Sequence, residues 1–255
     1  GPIALVTVSC DALAVHATSQ PSDRFSLIDG GLLGEARART FLGKFRDAPD
    51  LRISLSADMP LGGGAGASTA GLLALAGAAG VKAGPEELAE ACKLAEGAVD
   101  PLMIDAPDSC LWASREARVL RRFAPVPDFV VVGGFWGEPQ RKDASDLAFP
   151  DISDMVDFWD RATAGADRAA VAGLATEAAR RTSALRGPDN DPTRELAGDL
   201  GALGMLRAHT WSARGLLFAH GNAPSGVAKR LQSEGFQNVF AFQTGKAQRE
   251  WRRRC

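Results

Sequence analysis

The chain has 255 residues, of which 45% are hydrophobic and 24% are charged, and its formal net charge is −2. This length can bury a full core as one large domain or two modest lobes, and the composition is ordinary for a soluble globular protein. The small net charge gives no reason to expect nucleic acid or an anionic membrane as a partner. Short apolar runs and no visible signal peptide predict a cytoplasmic protein.

The cysteines and histidines argue against two common kinds of site. The four cysteines have no paired spacing, which predicts reduced thiols rather than a disulfide framework. The three histidines are too few and too scattered for a zinc site. The cysteines are Cys10, Cys92, Cys110 and Cys255, and the histidines are His16, His209 and His220.

The first predicted elements are short strands and one amphipathic helix. Apolar and β-branched residues predict strands over 3–8, 13–17 and 25–28. Residues 35–45 place apolar side chains on one helical face and basic ones elsewhere, which predicts a helix with a solvated basic side. Residues 51–56 alternate between apolar and polar, as in a half-buried strand.

A glycine-rich stretch follows that strand and precedes an apolar helix predicted over 70–79. Glycines let backbone N–H groups approach a ligand closely, and a helix N-terminus adds unpaired donors and a partial positive charge. Ser68 and Thr69 either cap the helix or reach a phosphate-bound Mg²⁺. The glycine cluster alone is equally consistent with a flexible turn before a core helix.

A second helix and an acidic loop come next. The Gly-Pro-Glu-Glu start predicts a helix over 84–96, which Gly97 closes. The loop DPLMIDAPD at 100–108 carries three acids, Asp100, Asp105 and Asp108. A solvated acidic loop explains this pattern as well as a catalytic one does.

The second half predicts a helix-backed antiparallel layer or a split βαβ layer. Two prolines, at 125 and 127, mark a lobe boundary, which divides the chain into lobes 1–125 and 126–255. The predicted strands are 111–112, 119–123, 129–132, 205–209, 215–219 and 238–242, the helices are 152–163, 168–185, 193–203 and 223–234, and 133–150 is a polar loop.

The order of residues in the glycine-rich stretch is more specific than its composition. Residues 60–70 read P-L-G-G-G-A-G-A-S-T-A, which resembles the GHMP small-molecule kinase motif P-x-G-x-G-x-x-S-S-x-A and most of all its L-threonine kinase branch, associated with cobalamin synthesis. The resemblance implies an α+β, two-lobe fold with an N-terminal S5-like and a C-terminal ferredoxin-like lobe. It also implies an ATP site at Pro60, Gly62, Gly63, Gly64, Gly66, Ala67, Ser68 and Thr69.

Two further segments resemble the same branch with substitutions. Residues 204–217 resemble its third motif, which implies substrate contacts for His209 and Thr210, although Trp211 replaces a family glycine. The acidic loop resembles E-P-[ST]-D-G, with Met103 at the position of the family aspartate. The resemblance then implies catalytic roles for Asp100 and Asp105, Asp105 as general base, and a Mg²⁺ site at Ser68 and Asp100.

Residues 3–7 match a strand that follows a further motif in the family, and no such motif precedes Gly1, so either the chain is truncated or it does without that segment. The function predicted by resemblance is phosphorylation of a hydroxyl of L-threonine or a similar amino-acid-like molecule, with ATP and Mg²⁺, by a monomer or homodimer. One alternative is a catalytically silent member that binds nucleotide or ligand, because Ala67, Met103 and Trp211 depart from the family. Another is a GHMP kinase for a sugar or isoprenoid alcohol.

Overall fold

The computed structural model describes residues 2–46, 48–138, 146–209 and 212–245. The strands in these ranges are β1 (Ala4–Leu5), β2 (Val15–Pro21), β3 (Ser26–Ile28), β4 (Leu51–Ala57), β5 (Cys110–Ala113), β6 (Arg118–Arg122), β7 (Phe129–Phe135), β8 (Gly204–Arg207), β9 (Ala213–Ala219) and β10 (Gln237–Gln243). The α-helices are α1 (Glu35–Leu42), α2 (Ala67–Ala78), α3 (Pro85–Glu96), α4 (Val156–Ala164), α5 (Arg168–Arg186), α6 (Thr193–Asp199) and α7 (Val227–Ser233). None of the helices described is long and apolar enough to cross a bilayer.

Two three-stranded sheets form the first half of the structure. One has the order β1-β5-β6, and the other has β4 between an antiparallel β2 and a parallel β3. Helix α2 packs on the second sheet, and its Leu72 and Leu75 side chains are fully buried. Phe135 from β7 joins the same core, so the glycine-rich segment before α2 lies next to the second half of the chain.

The second half contains a four-stranded antiparallel sheet in the order β10-β7-β9-β8. Along the chain the elements run strand, helices, strand, strand, helix, strand, which is the ferredoxin-like arrangement. Adjacent residues of β9 point to opposite faces, so Leu216 and Leu217 enter two different cores. The predicted helix-backed antiparallel layer is confirmed.

Several predicted boundaries were wrong for identifiable reasons. Helix α2 begins at Ala67 instead of residue 70, because Gly66 (φ 74°) takes the left-handed N-cap position. The loop predicted over 133–150 begins later, because Gly133 and Gly134 continue β7. A Cβ on Gly133 would overlap the carbonyl oxygen of Arg214, so only glycine permits this pairing. Residues 139–145 of that loop lie outside the described residues.

Other differences concern element ends. Helix α3 has the predicted end, with Gly97 (φ 74°) as its left-handed C-cap. Strand β1 is much shorter than the predicted 3–8, whereas β2 starts two residues later than predicted and runs on to Pro21. Helices α1, α6 and α7 are shorter than predicted, at Glu35–Leu42, Thr193–Asp199 and Val227–Ser233. A 3-10 turn, Ser153–Met155, precedes α4 in place of one continuous helix.

The cysteines in the described part are free thiols, as predicted for Cys10, Cys92 and Cys110. Burial raises the pKa of the Cys92 thiol to about 12 and that of Cys10 to about 11. Both thiols are therefore protonated and poorly nucleophilic at neutral pH. Cys255 lies outside the described residues.

Trp112 of β5 fixes the start of the acidic loop. Its side chain is 1% exposed, and its indole Nε1 donates a hydrogen bond of 2.7 Å to the carbonyl oxygen of Val99. We expect Trp112→Phe to lower the free energy of unfolding by about 2 kcal/mol, because a buried carbonyl loses its donor. Urea denaturation measures this change.

The control for that measurement is Leu94→Ala, at a side chain that is 60% exposed. Its effect should stay within about 0.5 kcal/mol. An unchanged urea midpoint for Trp112→Phe would show that the indole bond does not stabilise the fold.

Candidate active site

The glycine-rich loop between β4 and α2 has a defined conformation. Gly62, Gly64 and Gly66 have φ angles of 75°, 80° and 74°, which L-residues with a side chain adopt only with strain. Gly63 is required for a different reason, because a Cβ there would lie 2.7 Å from Cε1 of Phe135. Each of these glycines therefore has a structural role, which argues against a merely flexible turn.

The start of α2 lacks a side-chain cap in the described structure. Its N-cap, Gly66, has no side chain to offer, and neither Ser68 nor Thr69 caps the helix, because both lie within its first turn. The capping role considered for these two residues is therefore wrong. Uncapped first-turn N–H groups and the helix dipole favour an anion at this position.

The two hydroxyl residues of this turn differ in their contacts. Thr69 is 1% exposed, and its Oγ1 accepts a hydrogen bond of 3.3 Å from the N–H of Asp100. The Oγ of Ser68 is buried and has no hydrogen-bond partner among the described residues. A buried hydroxyl without a partner is costly, so Ser68, unlike Thr69, has a hydrogen-bonding group that no described residue satisfies.

Asp100 lies against the glycine-rich loop. A Cβ on Gly66 would be 3.7 Å from its Oδ2 and 3.5 Å from Cδ1 of Leu102. Its backbone is held by Thr69, and the preceding Val99 is held by the Trp112 indole. These two hydrogen bonds fix the backbone at residues 99–100, and the half-buried carboxylate of Asp100 lies beside the N-terminus of α2.

The rest of the acidic loop is arranged differently. Met103, at the position of the family aspartate, is partly buried and packs against the core of the first half. Asp105 is exposed, and its carbonyl oxygen accepts a bond of 2.9 Å from Nη1 of Arg122. Asp108 is partly exposed in a 3-10 turn, Pro107–Ser109. Of the three acids, Asp100 is the one that the described contacts place at the loop.

The segment that joins β8 to β9 contacts the glycine-rich loop directly. The carbonyl oxygen of Gly63 accepts bonds from the N–H of Ala213, at 2.8 Å, and from Oγ of Ser212, at 3.4 Å. The glycine-rich loop and the 204–217 segment therefore meet in space. Thr210 and Trp211, which directly precede Ser212, lie outside the described residues.

An apolar cavity of about 110 Å³ lies between the first sheet, helices α4 and α5, and strand β8. His209, at its edge, has its ring 5.8 Å from the ring of Phe149. Trp159 and Thr182 also line it, and Nε1 of Trp159 is buried without a hydrogen-bond partner among the described residues. Nothing in the sequence indicated Trp159 or Thr182, because the cavity forms between segments that are distant along the chain.

The described residues contain no group of three or more His, Cys, Asp or Glu side chains that could hold a metal ion. A cation at Asp100 would therefore need most of its ligands from a bound molecule or from water.

Comparison with known proteins defines the fold. No protein-family model matches the chain, and no curated protein matches its sequence. A homoserine kinase from Cytophaga hutchinsonii has a similar structure, with a TM-score of 0.65 and 19% identity, over 96% of this chain and 92% of that one. Streptococcus pneumoniae phosphomevalonate kinase, in complex with phosphomevalonate and AMPPNP, has a TM-score of 0.65 and 11% identity, over 94% and 99%.

The chain therefore has the α+β fold of the GHMP kinases, as predicted. The same fold also occurs in a mevalonate pyrophosphate decarboxylase from Streptococcus pyogenes, with a TM-score of 0.61, 13% identity, and coverage of 95% of this chain and 87% of that one. Such low identities establish the fold alone, and the reaction has to be argued from the site.

Proposed function

We propose that this protein is an ATP-dependent kinase that phosphorylates a hydroxyl group of a small metabolite. The observation that carries the proposal is the loop with left-handed Gly62, Gly64 and Gly66, which ends at an uncapped helix N-terminus with the Asp100 carboxylate beside it. Backbone N–H groups at such a junction bind phosphate. The similarity to a kinase crystallised with AMPPNP supports the same assignment.

The loop offers the backbone N–H groups that the phosphates of a nucleoside triphosphate need. We propose that the backbone of Pro60, Gly62, Gly63, Gly64, Gly66, Ala67, Ser68 and Thr69 forms the phosphate site. The unpartnered hydroxyl of Ser68 and the carboxylate of Asp100 would hold Mg²⁺, which prefers oxygen ligands of this kind. Bound ATP supplies the transferable phosphoryl group, and Mg²⁺ offsets its negative charge.

The protein's own contribution would be positioning and charge stabilisation. The contacts of Gly63 with Ala213 and Phe135 would keep the loop in place, so that its N–H donors need little reorganisation on binding. We propose Asp105 as the base that accepts the proton of the acceptor hydroxyl, since its exposed side chain is accessible and Met103 cannot serve.

The apolar cavity favours a small acceptor. Its volume of about 110 Å³ is modest, and His209, Thr182 and Nε1 of Trp159 offer polar contacts at its wall. We propose L-threonine or a similar amino-acid-like molecule as the acceptor, with a sugar or isoprenoid alcohol as the alternative. A substrate contact by Thr210 stays a prediction.

The test is ADP release by the purified chain with ATP, Mg²⁺ and a panel of hydroxyl compounds. The panel contains L-threonine, L-serine, L-homoserine, mevalonate and simple sugars. Turnover that depends on one class of acceptor supports the kinase and identifies its substrate class. ADP release that is the same with and without every acceptor would contradict acceptor phosphorylation on this panel.

A catalytically silent protein that binds nucleotide is the second candidate. Two observations favour this candidate. Met103, at the position of the family aspartate, packs against the core of the first half and has no carboxylate. Ala67, at the position of a family serine, is only 9% exposed and has no hydroxyl. This candidate predicts saturable ATP binding without acceptor-dependent ADP release, so an ATP titration together with the ADP-release assay separates the two.

A further inference from the structure

A buried charge cluster lies on strands β8 and β9, beside a second cavity that shares Ala179, Leu206 and Arg207 with the one at His209. Arg207 and Arg214 are paired across the two strands, and each side chain is 2% exposed. Both guanidinium groups contact the same atom, Oδ2 of Asp191, with Nη1 of Arg207 at 3.1 Å and Nε of Arg214 at 2.8 Å. The other carboxylate oxygen of Asp191 accepts bonds from the N–H and hydroxyl groups of Thr193.

This cluster joins two buried positive charges to one buried carboxylate. Buried charges are costly unless they are fully paired. Nε of Arg207 is buried without a hydrogen-bond partner among the described residues. Loss of hydration, followed by repulsion from Arg214, lowers the pKa of Arg207 to about 10, so Asp191 compensates it only in part. Within the part of the chain that the structure describes, the cluster thus contains one buried guanidinium N–H, on Nε of Arg207, without an acceptor.

A cavity of about 230 Å³ adjoins the cluster, between α5, the 188–194 loop and β8. The buried side chains of Arg207 and Arg214 line this cavity. Arg180 and Arg194, which are exposed residues, line it as well. Asp189, also exposed, is the other acid at its wall. The volume is sufficient for a small ion together with ordered waters.

We propose that this cavity is a binding site for a small tetrahedral oxyanion, of the class of inorganic phosphate or sulfate. The anion would accept a hydrogen bond from Nε of Arg207, because guanidinium groups bind such oxyanions through planar, charge-assisted contacts. None of these residues belongs to the glycine-rich loop, so anion binding can be measured without nucleotide, although Arg207 also lines the cavity at His209. Arg214 directly follows Ala213, which bonds to Gly63, so a bound anion would also hold the end of β9 that contacts that loop.

The first test measures binding to the full chain without nucleotide. Inorganic phosphate and sulfate should raise the thermal unfolding temperature saturably, and more than acetate or chloride at equal ionic strength, because only a ligand of the folded state stabilises it. Arg207→Gln should weaken phosphate binding by about tenfold or more in calorimetry, since a charge-assisted contact is lost. Arg24→Gln is the matched control, because Arg24 is exposed and does not line this cavity, and this variant should bind phosphate like the wild type.

Two further arms locate the site. Gly66→Ala should keep the phosphate response, because the glycine-rich loop is the other place where phosphate would bind. Should Arg207→Gln fail to fold, crystals of the wild type grown with selenate should show an anomalous peak within hydrogen-bond distance of Arg207 or Arg214. Any of three results would overturn the proposal. Arg207→Gln could bind phosphate as tightly as the wild type, Gly66→Ala could lose the phosphate response, or the selenate peak could be confined to the glycine-rich loop.

Discussion

Replacing Asp100 with asparagine is expected to lower the rate of ATP-dependent phosphoryl transfer by about 10²-fold or more. The carboxylate lies beside the N-terminus of α2, and Asp100 is the acid of this loop that we propose as a Mg²⁺ ligand. The amide has nearly the same shape but no charge. The backbone bond from Asp100 to Thr69 does not depend on the side chain, so the fold should be unaffected.

Steady-state ADP release measures this effect, with thermal unfolding as the check on folding. Asp108→Asn is the matched control, because it makes the same change in the same loop at a partly exposed acid. Asp105→Asn tests the proposed base separately and should lower the maximal rate without weakening ATP binding. Full activity of Asp100→Asn would show that the Asp100 carboxylate has no role in phosphoryl transfer.

Gly66→Ala is expected to weaken ATP binding by about tenfold, since a left-handed backbone costs a residue with a side chain roughly 1–2 kcal/mol. At φ 74°, Gly66 is both the N-cap of α2 and the neighbour of Asp100. The new methyl group would stand 3.7 Å from Oδ2 of Asp100, where the phosphate site is proposed. Relief of the strain would move the first-turn N–H groups away from the ligand.

Gly77→Ala is the control within the same helix. A Cβ there would meet nothing within 4 Å, and Gly77 has no positive φ angle. This substitution should leave ATP binding unchanged and raise stability by up to about 1 kcal/mol, because alanine is a better helix former. Equal ATP affinities for the two variants would show that the backbone at Gly66 does not shape the nucleotide site.

The sequence predicted the local features of this structure well. The Gly-Pro-Glu-Glu start and Gly97 predicted helix α3 to its last residue, because capping is a local interaction. Residue order at 60–70 predicted the glycine-rich loop, where three of the glycines have the left-handed φ that only glycine adopts without cost. The start of α2 was missed because the sequence did not show that Gly66 takes the left-handed N-cap conformation, which places Ala67, Ser68 and Thr69 inside the helix.

Contacts between distant segments could not be predicted in the same way. The packing of Phe135 on Gly63 and the approach of Asp100 to Gly66 each depend on how elements pair in space. The strand order β10-β7-β9-β8 is one of several compatible with the same sequence of elements. The cavity at Trp159 and the Arg207–Asp191–Arg214 cluster likewise appear only once helix α5 packs on β8.

Calorimetric titration of the purified chain with ATP and Mg²⁺ tests the central claim most directly. The proposed phosphate site predicts saturable binding of one nucleotide per chain, weakened by Gly66→Ala and preserved by Gly77→Ala. Absence of ATP binding to the folded wild-type protein would contradict the claim that the loop between β4 and α2 is a nucleotide site.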